Sequence, residues 1–123
     1  MNKRTLLSAL SVLSAACLFS TAALAQAFPT KPVTLVVPYT AGGLTDVLAR
    51  IVAPKLAEKW GQNVVVENRA GGGTTIGTGY VARAPGDGHT LLMTAFGLIG
   101  NQIMVPNLPY DPKALSPLAM VSD

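Results

Sequence analysis

The sequence predicts an α/β domain built around a parallel sheet. Runs of β-branched and aliphatic residues alternate with segments in which apolar residues recur at helical spacing, and glycine-rich turns lie between them. The chain has 123 residues and contains no internal repeat or low-complexity segment. Because a chain of this length buries only a limited core, we expect a single small domain.

The start of the chain has the pattern of a secretory signal peptide, which we place at residues 1–25. Lys3 and Arg4 precede an uncharged stretch of apolar and small residues, which ends in an A-x-A cleavage pattern at Ala25. A transmembrane anchor is the alternative, but the stretch is short and rich in Ser and Ala. We therefore expect export and cleavage after Ala25.

The mature chain, residues 26–123, loses the only cysteine, Cys17, together with two basic residues of the signal peptide. We expect it to form no disulfide and to be close to neutral. It contains no cluster of Lys and Arg with interleaved aromatic residues, so we expect no nucleic-acid partner.

The first strand is predicted at Val33–Val37, and Pro38 ends it because proline has no N–H to donate to a sheet. The helix that follows is predicted to begin with Thr45 as its N-cap and to end at Gly61. Pro54 predicts a kink or a break in this helix, since it removes one hydrogen bond. The apolar positions expected to face the sheet are Val47, Leu48, Ile51, Val52 and Leu56.

The same alternation continues along the rest of the mature chain. A second strand is predicted at residues 64–67, a helix at 75–84 and a third strand at 90–94. A short apolar helical turn, a proline-rich loop and the start of another strand in "LAMV" follow. Strands that alternate with helices in this way favour a parallel sheet.

The turn after the first strand has the features of an anion site. Gly42 and Gly43 allow backbone N–H groups to converge, and the start of the helix adds a partial positive charge. The turn contains no Lys or Arg, so it suits a small carboxylate held by amides and hydroxyls. The loops "RAGGGTTIG" and "TAFGLIGN" follow the other two strands and are expected at the same edge of the sheet. A tight turn without a ligand is the alternative.

The glycines also raise a nucleotide-binding hypothesis. Gly77, Gly79 and Ala82 match G-x-G-x-x-A, but they lie well beyond the first strand-to-helix turn, where this fingerprint belongs. Gly72 and Gly77 have the spacing of a P-loop, but no Lys follows to reach a phosphate. We interpret most of these glycines as packing and turn residues.

The sequence contains no catalytic or metal-binding constellation. His89, the only histidine, follows Gly88 without a second metal ligand or a nucleophile nearby, and we interpret it as a surface turn residue. We therefore expect a non-enzymatic protein without a metal or a cofactor.

Four motifs in a consistent order resemble one known family. The segments "FPTKPVTLVVPYTAGGLTDVLAR", "GQNVVVENRAGGGTTIG", "VARAPGDGHTLLM" and "NLPYDP" are similar to those of Bug-type receptors, the extracytoplasmic solute-binding proteins of the tripartite tricarboxylate transporter system. The resemblance covers the whole mature chain. It implies a type II periplasmic-binding-protein-like fold with a partly parallel sheet. It also implies a periplasmic receptor that captures a small carboxylate between two domains and delivers it to membrane transporter subunits.

The resemblance implies which residues line the ligand cleft. From the turn after the first strand these are Tyr39, Thr40, Ala41, Gly42, Gly43 and Asp46; from the stretch after the third strand they are Thr94, Ala95, Phe96, Gly97 and Asn101; weaker candidates are Asn68, Gly72 and Thr75. Asp46 is expected to order the turn and not to meet the anion directly. Phe96, Leu98 and Ile99 are more apolar than the family pattern, which favours a less polar acid over a tricarboxylate.

Members of this family are longer and have two domains. The resemblance therefore implies that residues 26–123 form the N-terminal part of the first solute-binding domain, without the second domain and without the segments that return to the first. Two interpretations stay open: a receptor fragment that would bind a carboxylate, and a truncated relic that binds nothing. A nucleotide-binding α/β enzyme is a remote third.

Overall fold

The computed structural model describes residues 27–121, so the predicted signal peptide at residues 1–25 lies outside the described residues. Strands and helices alternate within this range, in the order β1 (Val33–Val37), α1 (Leu44–Trp60), β2 (Val64–Asn68), α2 (Thr75–Arg83), β3 (Thr90–Leu92) and α3 (Gly97–Met104). Short 3₁₀ turns occupy Gly72–Thr74 and Pro112–Ala114. Of the helices in this range, none is both long and apolar enough to cross a membrane.

The described strands form one parallel sheet in the order β2-β1-β3, which confirms the predicted α/β class. In the pairing of β1 with β2, Val33 lies opposite Val64, and in the pairing of β1 with β3, Thr34 lies opposite Thr90. As the central strand, β1 is almost fully buried, which explains its run of aliphatic residues. Because the strands are parallel, their carboxyl ends lie at the same edge of the sheet.

The helix α1 is continuous through Pro54, so the structure shows no break there. Pro54 is exposed, and the carbonyl group that loses its donor can turn to water. The predicted N-cap is wrong: α1 begins after Gly43, Thr45 lies within its first turn, and no described side chain caps this end. Gly61 ends the helix as predicted, and its N–H donates to the carbonyl oxygen of Ala57.

The helix α1 packs on the sheet through small residues. Ala49 and Ala53 are buried, whereas Val47 and Ile51 are exposed. Val47 and Ile51 lie two positions from Ala49 and therefore on the opposite side of the helix. The prediction that Val47 and Ile51 face the sheet is wrong. The small side chains of Ala49 and Ala53 allow α1 to approach the sheet closely, and the face that carries them is therefore the buried one. The other three predicted positions, Leu48, Val52 and Leu56, are half-buried.

Several predicted boundaries differ from the structure. The strand β2 extends one residue beyond its predicted end, to Asn68. The helix α2 ends one residue before its predicted end, at Arg83, and β3 ends two residues before its predicted end, at Leu92. Residues 118–121, which were predicted to begin another strand, form no strand in the structure, and their large apolar side chains are exposed. An apolar run becomes a strand only beside a pairing partner, and none of the described strands pairs with this one.

Two glycines of the nucleotide hypothesis, Gly77 and Gly79, are buried inside α2. A Cβ on Gly77 would lie 2.7 Å from the carbonyl oxygen of Arg69 and 2.9 Å from the Cβ of Pro38. Only glycine allows α2 to pack this close to the end of β1, which confirms the interpretation of these residues as packing glycines.

His89 is buried, so its interpretation as a surface turn residue is wrong. Its Nε2 accepts a hydrogen bond from the N–H of Thr30 at 3.2 Å, and its ring lies 5.0 Å from that of Phe28. The segment that precedes β1 therefore packs over the histidine. Thr30 and His89 are 59 positions apart, and a local sequence pattern does not predict such a contact.

Candidate functional site

Three loops meet at the carboxyl edge of the sheet, one after each strand, and we call them the loop cluster. They are residues 38–43 after β1, 69–74 after β2 and 93–96 after β3. The hydroxyl oxygen of Tyr39 accepts a hydrogen bond from the N–H of Ala95 at 3.2 Å and lies 3.5 Å from the Oγ1 of Thr94. These two contacts join the first loop to the third.

Gly97, the first residue of α3, lies where the loops approach one another. A Cβ on Gly97 would lie 2.7 Å from the Oγ1 of Thr74 and 3.2 Å from the hydroxyl oxygen of Tyr39. No side chain fits at these distances, so the approach of the loops requires glycine here. The structure therefore brings together two predicted site residues, Tyr39 and Gly97, with Thr74, which the sequence prediction missed.

Thr74 has a backbone conformation that is rare for its residue type. Its φ is +79°, in the left-handed region, where a β-branched residue is strained by about 1–3 kcal/mol. Asn101 holds Thr74 in place, because its Nδ2 donates to the carbonyl oxygen of Gly73 at 2.7 Å and to the Oγ1 of Thr74 at 3.0 Å. Asn101 and Thr74 are both buried. The predicted cleft residue Asn101 thus anchors the glycine-rich loop.

Asp46 orders the turn after β1, as expected. Its Oδ2 accepts a hydrogen bond from the N–H of Gly42 at 2.8 Å, and both carboxylate oxygens lie 3.1 Å from the Nε of Arg50. The Nδ2 of Asn68 donates to the Oδ1 of Asp46 at 3.0 Å and to the carbonyl oxygen of Tyr39 at 3.2 Å. The hydrogen bond from Gly42, followed by that from Arg50, lowers the pKa of Asp46 from 3.8 to about 2. The carboxylate is therefore ionised at neutral pH, and Arg50 balances its charge.

The start of α1 provides hydrogen-bond donors beside this turn. The N–H groups of Leu44, Thr45 and Asp46 have no acceptor within the helix, because the hydrogen bond from Val47 to Gly43 is the first of its turn. No described side chain caps this end. The helix is 17 residues long, and its dipole adds a partial positive charge here. The site thus offers N–H groups and positive potential without a Lys or Arg in the turn itself.

The remaining predicted residues lie on the surface of the loop cluster or support it. Those that are exposed are Thr40, Ala41, Gly42, Ala95 and Phe96, and those that are half-buried are Gly43, Thr94 and Gly97. The weaker candidates take part in internal contacts: Asn68 binds the Asp46 carboxylate, and the hydroxyl of Thr75 donates to the carbonyl oxygen of Gly72 at 2.8 Å.

Apart from Arg69, which is paired with Glu67, the loop cluster consists of neutral hydrogen-bonding groups. The N–H groups of Gly42 and Ala95 are already bound to Asp46 and Tyr39, so the donors available to an anion are the first N–H groups of α1 and the Tyr and Thr hydroxyls. No group of three metal-binding side chains occurs among the residues that the structure describes. The arrangement is therefore suited to holding an acid reversibly.

Comparison with known sequences assigns the family. Residues 48–123 match the model of the tripartite tricarboxylate transporter family receptor. The BugT protein of Bordetella pertussis is 38% identical in an alignment that covers the whole chain and 39% of BugT. The chain spans between 25% and 39% of the length of the curated relatives that it matches.

Comparison with solved structures confirms the predicted likeness to periplasmic binding proteins. The periplasmic binding protein BugD is 44% identical with a TM-score of 0.66, over 69% of this chain and 28% of BugD. A protein of R. palustris solved with adipate is also 44% identical with a TM-score of 0.66, over 70% of this chain and 29% of that protein. Sequence and fold agree, and the chain belongs to the receptors of the tripartite tricarboxylate transporter family.

Proposed function

We propose that the loop cluster binds one carboxylate group of a small organic acid, in an exported, non-enzymatic receptor that delivers the acid to membrane transporter subunits. The family is one of transporter receptors, and the structural neighbours include a periplasmic binding protein and a protein solved with adipate. The predicted signal peptide supports a periplasmic location. In this proposal, residues 26–123 supply one wall of the binding site.

The start of α1 is the observation that supports carboxylate binding most directly. Its first N–H groups have no acceptor within the helix, and its N-cap Gly43 donates to the carbonyl oxygen of the exposed Thr40 at 3.4 Å. A hydrogen bond from an N–H group to an ionised oxygen is about twice as strong as one between neutral groups. The buried carboxylate of Asp46 does not oppose an incoming anion, since Arg50 balances its charge.

A carboxylate suits this turn better than a nucleotide phosphate does. Nucleotide sites at such turns add a lysine to the glycine loop, or place the G-x-G-x-x-G pattern directly after the first strand. The segment "PYTAGG" has neither feature. The glycines that do match the nucleotide spacing, Gly77 and Gly79, are buried inside α2.

Thermal unfolding with added acids tests the proposal. The purified mature chain, residues 26–123, is heated with increasing concentrations of adipate, succinate or glutarate, and unfolding is followed by circular dichroism. We expect Tm to rise with at least one of these acids, because a ligand at about 100 times its Kd stabilises the folded state by about 2.7 kcal/mol. Adipamide, which has the carbon chain of adipate and two neutral amides, is the matched control and should leave Tm unchanged.

The same experiment separates the alternatives. A Tm that none of the acids changes would contradict carboxylate binding and favour the non-binding interpretation. A rise with ATP in place of the acids would favour the nucleotide hypothesis.

A further inference from the structure

The side chain of Phe96 is an exposed aromatic group at the edge of the loop cluster. It lies between Ala95, whose N–H donates to the Tyr39 hydroxyl, and Gly97, which lies against Thr74 and Tyr39. The side chain is 70% exposed, although burying an aromatic ring is strongly favourable. A large apolar side chain at this position is available to contact a ligand.

Gly100 fixes the position of the Phe96 ring. A Cβ on Gly100 would lie 2.5 Å from the Cε1 of Phe96 and 3.0–3.1 Å from two further ring atoms, so the ring occupies the space that a side chain would fill. The carbonyl oxygen of Phe96 also accepts hydrogen bonds from the N–H groups of Ile99 and Gly100, at 3.1 and 2.8 Å. The first turn of α3 therefore holds the backbone of Phe96 through hydrogen bonds and its ring through the contact with Gly100.

The arginine side chains in and beside the loop cluster are already paired. Arg50 is bound to Asp46 and Asn68, and Arg69 is bound to Glu67 while its guanidinium lies 3.7 Å from the centre of the Tyr80 ring. The residues on either side of Phe96 contact neutral groups, since Ala95 donates to the Tyr39 hydroxyl and Gly97 lies against Thr74 and Tyr39. An acid bound to the loop cluster would therefore have the exposed Phe96 ring beside it.

We infer that Phe96 is a specificity-determining residue, whose ring contacts the hydrocarbon part of the bound acid and favours a methylene chain over a hydroxylated chain of equal length. This inference rests on the proposed function of the loop cluster. The physical reason is that hydroxyl groups against an aromatic ring lose their hydrogen bonds to water without gaining a partner, whereas methylene groups gain from burial.

Adipate and galactarate form a matched pair of probes for this inference. Galactarate has the six-carbon chain and the two carboxylates of adipate, with a hydroxyl on each interior carbon. Isothermal titration calorimetry of the mature chain gives Kd for each acid. We expect adipate to bind about tenfold more tightly or better, and we expect Phe96→Ser to abolish most of this preference.

Two further variants show whether the position of the ring decides the preference. Ile103→Ser removes an apolar side chain that is exposed on α3 seven positions away, and it should keep the preference for adipate. Gly100→Ala adds a methyl group where the ring now lies, so it should displace the ring and lower the preference while α3 remains helical. Circular dichroism of each variant verifies that it is folded.

The outcomes distinguish this inference from the proposed function. If the native chain binds neither adipate nor galactarate nor another small acid, the proposed function fails and the inference fails with it. If the native chain binds acids but shows no preference for adipate, or keeps its preference in Phe96→Ser, the inference alone is overturned. An equal loss of preference in Ile103→Ser would also overturn it, because the effect would then belong to the whole apolar face of α3.

Discussion

The side chain of Asn101 on α3 donates a hydrogen bond of 3.0 Å to the Oγ1 of Thr74, the residue that ends the glycine-rich loop. The same Nδ2 donates to the carbonyl oxygen of Gly73. The two bonds hold Thr74 in a left-handed conformation that its β-branched side chain disfavours. The conformation of the loop after β2 is therefore coupled to the position of the helix after β3.

Asn101→Ala should lower the free energy of unfolding by about 1–3 kcal/mol, because it removes the donor of two shielded hydrogen bonds. Unfolding in urea measures this change. Ile103→Ala, at an exposed position of the same helix, is the control and should change the free energy by less than about 0.5 kcal/mol.

Thr74→Gly separates the strain from the hydrogen bond. Glycine adopts a positive φ without a steric cost, so this variant relieves the strain while it loses the hydroxyl. We expect Asn101→Ala to cost less in the Thr74→Gly background than in the native chain, because one of its two bonds is already gone. Equal costs in the two backgrounds would show that Asn101 does not act through Thr74.

Gly97→Ala should destabilise the fold by about 1–3 kcal/mol and weaken acid binding, because the new Cβ would lie 2.7 Å from the Oγ1 of Thr74. Gly86→Ala is the matched control, since a Cβ there would meet no atom within 4 Å. Urea unfolding compares the two variants. If Gly97→Ala were as stable as Gly86→Ala, the loops would not be in the close contact described.

The strands and their parallel arrangement could be predicted because their signals are local. The run Val33–Val37 is aliphatic except for Thr34, Pro38 ends it, and Gly61 ends the helix that follows. The position of the candidate site at one edge of the sheet could be predicted for the same reason, since a segment with glycine and threonine follows each strand, the third being "TAFGLIGN".

The details that the sequence prediction missed depend on contacts between distant residues. Nothing local marks Thr74 as a left-handed residue, because a β-branched side chain disfavours that conformation and the hydroxyl is held by Asn101, 27 positions away. Similarly, the burial of His89 depends on Phe28 and Thr30. The buried face of α1 depends on how closely Ala49 approaches the sheet, which apolar periodicity does not specify.

Stability should fall as the pH is lowered from about 4 towards 2, because two carboxylates have lowered pKa values. That of Asp46 is about 2, mainly through the N–H of Gly42, and that of Asp87 is also about 2, mainly through the N–H of His89. In each case the folded-state pKa lies below the unfolded value, so the stabilisation is complete above the unfolded value and is lost as protons bind.

Asp46→Asn and Asp87→Asn test this pH dependence. Asp46 lies at the carboxyl edge of the sheet and Asp87 before the start of β3, so we expect their effects to add. Each substitution should flatten part of the fall in unfolding free energy between about pH 4 and pH 2, measured in urea at several pH values. A double variant that retained the full fall of the native chain would contradict the assignment.

His89→Ala should release the segment before β1 from the rest of the fold and lower the unfolding free energy by about 1–3 kcal/mol. The substitution removes the acceptor of the Thr30 N–H and the ring on which Phe28 packs. The Phe28 ring also lies 6.0 Å from that of Trp60, the only tryptophan, so release of the segment should expose Trp60 and shift its fluorescence to longer wavelength. His89→Phe retains an aromatic ring without the acceptor, and it should show a smaller shift. Unchanged emission in His89→Ala would mean that the segment stays packed without the histidine.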